Sequence, residues 1–179
     1  MKIFFILVFF IINFQSFGLS DDFNFKKIVN LNNPWGSSFI NNEEIIITEK
    51  SGKIKLVNVV SKKIIEIKHN LNFLEYGQGG LLDIIYKENK LWISYTEDRG
   101  NWKTSTSIAK AKFHKKELIF ENIFQSNPPI DSGYHFGSRL AIKDDYLFAT
   151  TGERGQGMIA QDGTKHPGSI IRIHTDGSI

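Results

Sequence analysis

The stretch Ile84-Ile85-Tyr86-Lys87-Glu88-Asn89-Lys90-Leu91-Trp92-Ile93-Ser94-Tyr95-Thr96-Glu97 decides the fold. Two runs of β-branched and aromatic residues flank four polar ones, the pattern of two strands joined by a tight turn. The pattern recurs upstream as Phe39-Ile40, Asn41 to Glu44, then Ile45-Ile46-Ile47-Thr48-Glu49. It recurs downstream as Leu140-Ala141-Ile142, Lys143 to Asp145, then Tyr146-Leu147-Phe148-Ala149-Thr150-Thr151. Aligned on Thr48, Thr96 and Thr151, the units are 48 and 55 residues apart. A period near fifty residues, built of strands alone, predicts an all-β β-propeller with four strands per blade.

Each unit fills out in the same way. In the first, Ser51-Gly52 turns into Lys53 to Val59, and Ser61-Lys62-Lys63 turns into Ile64 to Lys68. In the second, the polar loop Asp98 to Lys103 leads to a strand over Ser107 to His114 and an outer strand over Glu117 to Gln125. The third ends with Ser169 to His174 and the turn Thr175-Asp176-Gly177-Ser178. No stretch of eleven or more residues carries a 3.6-residue apolar period. The units amount to about two and three-quarter blades, whereas a propeller closes with roughly four to eight. The expectation is therefore that the 179 residues are the N-terminal part of a longer product.

Composition narrows the classes. With 41% hydrophobic and 23% charged residues the chain reads as globular. The formal net charge is +3, and +2 without a leader carrying only Lys2. The charges are interspersed, so binding to nucleic acid through a basic stripe is not expected. The absence of cysteine excludes a disulfide framework, thiolate-bound metal and a thiol nucleophile. At the N-terminus Lys2 precedes the apolar run Ile3 to Ile12, and Ser16-Phe17-Gly18 places small residues at −3 and −1 of a cleavage site. This reads as a signal helix over residues 1–18, too short to span a bilayer, followed by a lead-in over 19–33 and the propeller domain over 34–179. A secreted, periplasmic protein without a stable membrane span after cleavage is expected.

Chemistry in a propeller gathers where the inner strands begin, at one mouth of the central channel. Those starts here are Pro34-Trp35-Gly36, Gly77-Gln78-Gly79-Gly80-Leu81-Leu82-Asp83 and His135-Phe136-Gly137-Ser138-Arg139. Glycine at such positions lets a ligand approach the backbone. Equivalent blades would bring Gln78 and His135 from adjacent repeats to one mouth. An imidazole and an amide converging on a pocket suit proton abstraction from a hydroxyl. Glu153 follows the strand paired with the one His135 opens, so an antiparallel turn returns it to the same end. From the residues alone other readings stand beside these: a structural histidine, a turn amide for Gln78, and an exposed ion pair of Glu153 with Arg154. Arg139, Gln161, Asp162 and His166 read as turn and ion-pair residues. Gly155-Gln156-Gly157-Met158-Ile159-Ala160 matches a dinucleotide fingerprint in form but opens no credible helix. No histidine pair has metal-ligand spacing, so no transition-metal site is expected.

Taken together, several of these motifs resemble the glucose/sorbosone dehydrogenases. They are Pro34-Trp35-Gly36, Ile47-Thr48-Glu49-Lys50 with Gly52, Gly77 to Asp83, His135 to Leu140, Gly152-Glu153, Ala160-Gln161-Asp162, and His166 with Gly168 and Ile171-Arg172-Ile173. The resemblance implies a six-bladed propeller that binds pyrroloquinoline quinone and calcium and oxidises the C1 hydroxyl of aldoses. It implies that His135 is the general base, that Glu153 supports it, and that Gln78 contacts cofactor and sugar. It also implies that most ligands of the quinone and calcium lie in the family's second half, so that this stretch alone is inactive. Two positions depart from the pattern. Lys50 stands where the family carries Arg, and a lysine cannot form a bidentate fork. Tyr134 stands where glucose-specific enzymes carry an acidic sugar contact, which points to a broader aldose specificity.

The expected function is an exported quinoprotein oxidoreductase with a small sugar as substrate and an external electron acceptor. A non-catalytic secreted propeller binding carbohydrate or a protein partner is the alternative. A calcium-dependent lactonase ranks last, because Gln78 and His135 stand where acidic metal ligands would be wanted.

Overall fold

The computed structural model describes residues 24–179, so the expected leader lies outside the described residues. Twelve strands of the described residues form three sheets, one per repeat, antiparallel except where Glu117–Leu118 joins the first. The first holds β1 (Pro34–Phe39), β2 (Glu44–Glu49), β3 (Lys53–Asn58) and β4 (Ile64–His69) in that order. The second holds β5 (Leu81–Lys87), β6 (Lys90–Asp98), β7 (Thr104–Lys112) and β9 (Glu121–Gln125), with β8 (Glu117–Leu118) between β7 and β9 in the chain. The third holds β10 (Gly137–Lys143), β11 (Tyr146–Thr151) and β12 (Ile170–His174). Each meanders outward from its first strand, and β5 packs against both β1 and β10, so the inner strands stand side by side. This is the blade arrangement the repeat predicts.

Local chemistry sets the turns. Asn41 Oδ1 accepts from the N–H groups of Glu43 and Glu44, both at 2.9 Å, an Asx turn that reverses β1 into β2. Glu88 and Asn89 take the two left-handed positions of a two-residue hairpin between Lys87 and Lys90. The middle blade is covered on both faces, which is why β6 is buried from Leu91 to Glu97 instead of alternating. Leu91, Ile93 and Tyr95 pack with Ile46, Ile54 and Ile67 of the first blade. Trp92 packs the other way, with Leu140, Leu147 and Ile173 of the third. Its indole N–H donates to the Thr175 carbonyl at 2.9 Å.

The outer strand expected over Glu117 to Gln125 is broken in two. Leu118 is fully buried against the first blade, and β8 pairs in parallel with β4 through Lys68–Glu117 and His69–Leu118. The chain then crosses back, and β9 pairs with β7. Asn70 stabilises the crossing by accepting from Phe120 N–H at 2.8 Å and donating to its carbonyl at 3.1 Å. The third strand of this blade runs from Thr104, not Ser107, because Thr104 to Ser107 pair with β6 and are buried.

A hydroxyl relay joins neighbouring blades and corrects the alignment of the repeats. Gly36 N–H donates to Thr48 Oγ1 at 3.0 Å, and that hydroxyl donates to the Leu82 carbonyl of the next inner strand at 2.5 Å. One blade on, Asp83 N–H donates to Ser94 Oγ at 3.0 Å, which donates to the Ser138 carbonyl at 2.7 Å. In the third blade Arg139 N–H donates to Thr150 Oγ1 at 3.0 Å. Each of these inner strands carries an irregularity in register at the donating residue. The equivalent residues are thus Thr48, Ser94 and Thr150, spaced 46 and 56, not Thr48, Thr96 and Thr151. Replacing the hydroxyl by hydrogen leaves a buried donor and acceptor unpaired at a cost of roughly 1–3 kcal/mol. Ser94→Ala is therefore expected to lower unfolding stability in urea by about 2 kcal/mol. A loss below about 0.5 kcal/mol, the range of an ordinary surface change, would contradict the relay.

Candidate active site

Two loops and one strand end meet where β5 and β10 begin. The loop before β5 carries Gln78, the loop before β10 carries Tyr134 and His135, and Glu153 follows β11, whose last residue Thr151 pairs with Gly137. The loops touch through glycine. A Cβ on Gly77 would collide with the backbone of Gly133, and Gly77 itself has φ of 58°. This approach lets Gln78 N–H donate to the Gly133 carbonyl at 2.7 Å. Gly152 is needed for the same reason, since a Cβ there would run into the His135 carbonyl.

The structure brings all three expected residues together, with one difference in detail. Gln78 meets the backbone of His135, not its ring: the His135 N–H donates to Gln78 Oε1 at 2.9 Å. The imidazole Nδ1 lies 2.5 Å from Glu153 Oε1, which also accepts from Gly155 N–H at 2.9 Å. The His135 hydrogen bond is the largest effect and holds the Glu153 carboxyl below the ordinary glutamate range against the opposing effect of burial, with a lesser contribution from Gly155 N–H. An ionised carboxylate only accepts, so Nδ1 carries a proton and, in the neutral ring, Nε2 presents the lone pair. The His135 side chain is 54% exposed, and Nε2 has no partner among the described residues, so the ring faces open space at the mouth. His135 has φ of 50°, a left-handed conformation that most side chains avoid, histidine less than others, and that marks a constrained position.

Arg154 supplies that constraint, and reading the sequence did not find it. It is not the exposed partner of Glu153. It is 3% exposed, its guanidinium stacks 3.7 Å above the Phe136 ring, and its nitrogens donate to backbone carbonyls. Nε donates to Tyr134 O at 2.9 Å; the terminal nitrogens donate to Thr104 O at 3.2 Å, Thr104 Oγ1 at 2.7 Å and Ser132 O. The cation thus clamps the 132–136 loop onto β7. Burial lowers its pKa to about 10, which still leaves it charged at neutral pH. Only the run of aromatic, small and glycine residues around His135 hinted at such a clamp.

Other expected residues serve the blades. Arg139 pairs with buried Asp83 at 3.0 Å, and Asp83 also accepts from Leu140 N–H at 2.8 Å. Asp162 caps a turn through Thr164 and Lys165. His166 holds Asn127 through both its backbone and its Nδ1. Gly157–Gln161 is a five-residue 3-10 turn and not the long helix of a dinucleotide fold. Lys50 lies 3.9 Å from Glu75. Among the described residues no group of three or more metal-ligating side chains occurs.

Two outcomes are expected from this geometry. In His135→Ala the Glu153 carboxyl, followed by carbon-detected NMR, titrates higher, towards the ordinary glutamate range. Its depressed value means that the pair stabilises the fold above the ordinary glutamate range, and that this stabilisation is lost as pH falls through the depressed value. An unchanged midpoint would break the assigned pairing. In Arg154→Lys, which keeps the charge and loses the fork, the His135 amide is expected to exchange with solvent at least about tenfold faster.

Comparisons with known proteins identify the family and the fold. A family model described as Glucose / Sorbosone dehydrogenase matches residues 31–179. Aldose sugar dehydrogenase YliI of Escherichia coli K12 is 28% identical over 159 residues, covering 83% of this chain and 43% of its own length. The structure of the soluble aldose sugar dehydrogenase of E. coli in its apo form superposes with a TM-score of 0.78 at 28% identity, over 83% of this chain and 46% of that one. The PQQ-bound aldose sugar dehydrogenase of Streptomyces coelicolor shares the fold, with a TM-score of 0.72 at 23% identity, over 83% of this chain and 46% of that one. The chain spans about two-fifths of the length of the curated relatives it matches. With its family motifs in order on a shared propeller scaffold, it belongs to the glucose/sorbosone dehydrogenase family.

Proposed function

We propose that this chain is the N-terminal part of an exported, pyrroloquinoline-quinone-dependent aldose dehydrogenase, and that His135 is its general base. The observation that carries the reading is the His135–Glu153 pair at 2.5 Å, beside Gln78 at the mouth, with imidazole Nε2 free. Family membership and the motifs supply the substrate class. The apolar run at the N-terminus supplies the export. Among the described residues no helix is long and apolar enough to cross a membrane.

The residues present fit one edge of a planar quinone. Gln78 uses Oε1 on the His135 backbone, while its Nε2 has no partner among the described residues and can donate to a carbonyl oxygen. Neither arginine beside the site is available for the quinone carboxylates, since Arg154 is committed to backbone carbonyls and the Thr104 hydroxyl and Arg139 to Asp83. Those contacts, and calcium, are assigned to the rest of the protein. The chemistry that pyrroloquinoline quinone supplies when bound is uptake of the hydride from C1 of the sugar.

The chain's own residues handle the proton. Glu153 fixes the tautomer in which His135 Nε2 accepts, so the ring takes the proton of the C1 hydroxyl as the C1–O bond becomes a lactone carbonyl. The imidazolium formed is stabilised by the carboxylate already bonded to Nδ1. Arg154 and Gln78 hold the His135 backbone in place, so the ring need not reorganise during the step. The electrons pass on to an external acceptor.

The full-length protein, reconstituted with quinone and calcium, is expected to reduce an artificial electron acceptor when supplied with aldoses. His135→Ala is expected to lower turnover by about a hundredfold or more, the contribution of a positioned general base. Unchanged turnover would refute the role of His135, and no turnover across a broad sugar panel would refute the reading as a whole.

A further inference from the structure

At the end of the strands opposite His135, the second blade carries a row of lysines that its own hydrogen bonds do not account for. In register, Lys87 of β5 stands opposite Lys90 of β6, and Lys90 stands opposite Lys112 of β7. Lys110 lies on the same face, opposite Trp92. Like charges placed directly across neighbouring strands repel, so the row costs stability. Lys87 and Lys110 reach the turns of the third blade, donating to the carbonyls of Asp144 at 3.5 Å and Asp176 at 2.9 Å. Carbonyls are neutral, and these contacts leave the positive charge uncancelled. Lys90 and Lys112 are exposed and have no hydrogen-bond or ion-pair partner among the described residues.

Both of these lysines line a cavity of about 610 Å³ that is walled on one side by the Thr175-Asp176 turn. Its size falls within the roughly 300–1,000 Å³ of small-molecule sites. The apolar part is Ile119, which is 59% exposed although Leu118 and Phe120 on either side are buried. The pairing of Lys110 with Glu121 puts Ile119 level with Lys112 across β7 and the chain entering β9. Glu88 and Glu121 also line the cavity, and neither has an ion-pair partner among the described residues. Glu121 faces Lys110 in register, yet that lysine is drawn to the Asp176 carbonyl instead. The acids of the cavity therefore do not neutralise the Lys90–Lys112 pair by contact. Two ammonium groups beside an exposed aliphatic side chain match an acid group carried on an apolar body.

We propose that this cavity binds a small organic anion, whose acid group lies between Lys90 and Lys112 and whose apolar body rests on Ile119. Lys87 and Lys110 stay on the third blade and fix the wall formed by its turn. The cavity lies where β5 ends and β6 begins, whereas the mouth lies where β5 and β10 begin. The two sites are separate, and this one does not rest on the dehydrogenase reading.

Amide NMR of the full-length protein at low ionic strength, titrated with phenyl phosphate and with benzoate, tests the site. The two arms tell a phosphate from a carboxylate. The resonances of Lys90, Lys112 and Ile119 are expected to move and saturate with at least one probe, while those of Gln78 and His135 stay. The double variant Lys90→Gln/Lys112→Gln changes only exposed side chains and is expected to bind at least about fivefold more weakly. Ile119→Ala is expected to weaken the aromatic probe about threefold and to leave the affinity for inorganic phosphate unchanged. The absence of saturable movement at these residues would overturn the proposal. So would equal affinity in the double variant, full affinity of Ile119→Ala for the aromatic probe, or equal movement at exposed lysines outside the cavity such as Lys62 and Lys63.

Discussion

A single hydroxyl, Ser94 Oγ, ties the two halves of the site together. It takes the N–H of Asp83 on its own blade and gives its proton to the Ser138 carbonyl of the next. Asp83 then reaches across to Leu140 N–H and Arg139. All but the bond to Arg139 are buried, so each of those is expensive to leave unmade and the blades cannot slide by a residue without breaking several. The distance between Gln78, five residues before Asp83, and His135, three before Ser138, follows from that registration. The site is precise because the inner strands are, even though its residues sit on loops.

Opposite charges at the mouth serve different tasks. The Arg154 cation is buried under Phe136 and bonded to carbonyls, so it fixes backbone and contributes no free charge to a ligand. The Glu153 carboxylate is directed at the imidazole and Gly155 N–H. Had the two paired with each other, as neighbours in sequence readily do, His135 would lose both its clamp and its orienting anion.

How much of this was legible depended on whether the signal was local. Alternation and turn residues around Asn41, Glu88-Asn89 and Asp144 are properties of a few adjacent residues, and they gave the strands and the blade count. The alignment on Thr48, Thr96 and Thr151 failed because the irregularity at each inner strand shifts the pairing, and the equivalence is set by hydrogen bonds across blades. The outer strand over Glu117 to Gln125 looked continuous because the apolar groups Leu118-Ile119-Phe120 and Ile123-Phe124 stand only two residues apart, yet Leu118 belongs to the first blade's core. Gln78, His135 and Glu153 could be brought together from repeat spacing, but not the contact of Gln78 with backbone. Arg154 was hidden because its partners, at Thr104, Ser132 and Tyr134, are carbonyls and a hydroxyl, which charge patterning does not reveal.

The tautomer of His135 is where geometry becomes chemistry. Nitrogen-15 chemical shifts of its imidazole at neutral pH report which ring nitrogen carries the proton. A protonated Nδ1 facing Glu153 with a bare Nε2 is the expected result and makes the ring a base directed into the mouth. A protonated Nε2 with a bare Nδ1 would leave no lone pair facing the sugar and would contradict the role assigned to this histidine.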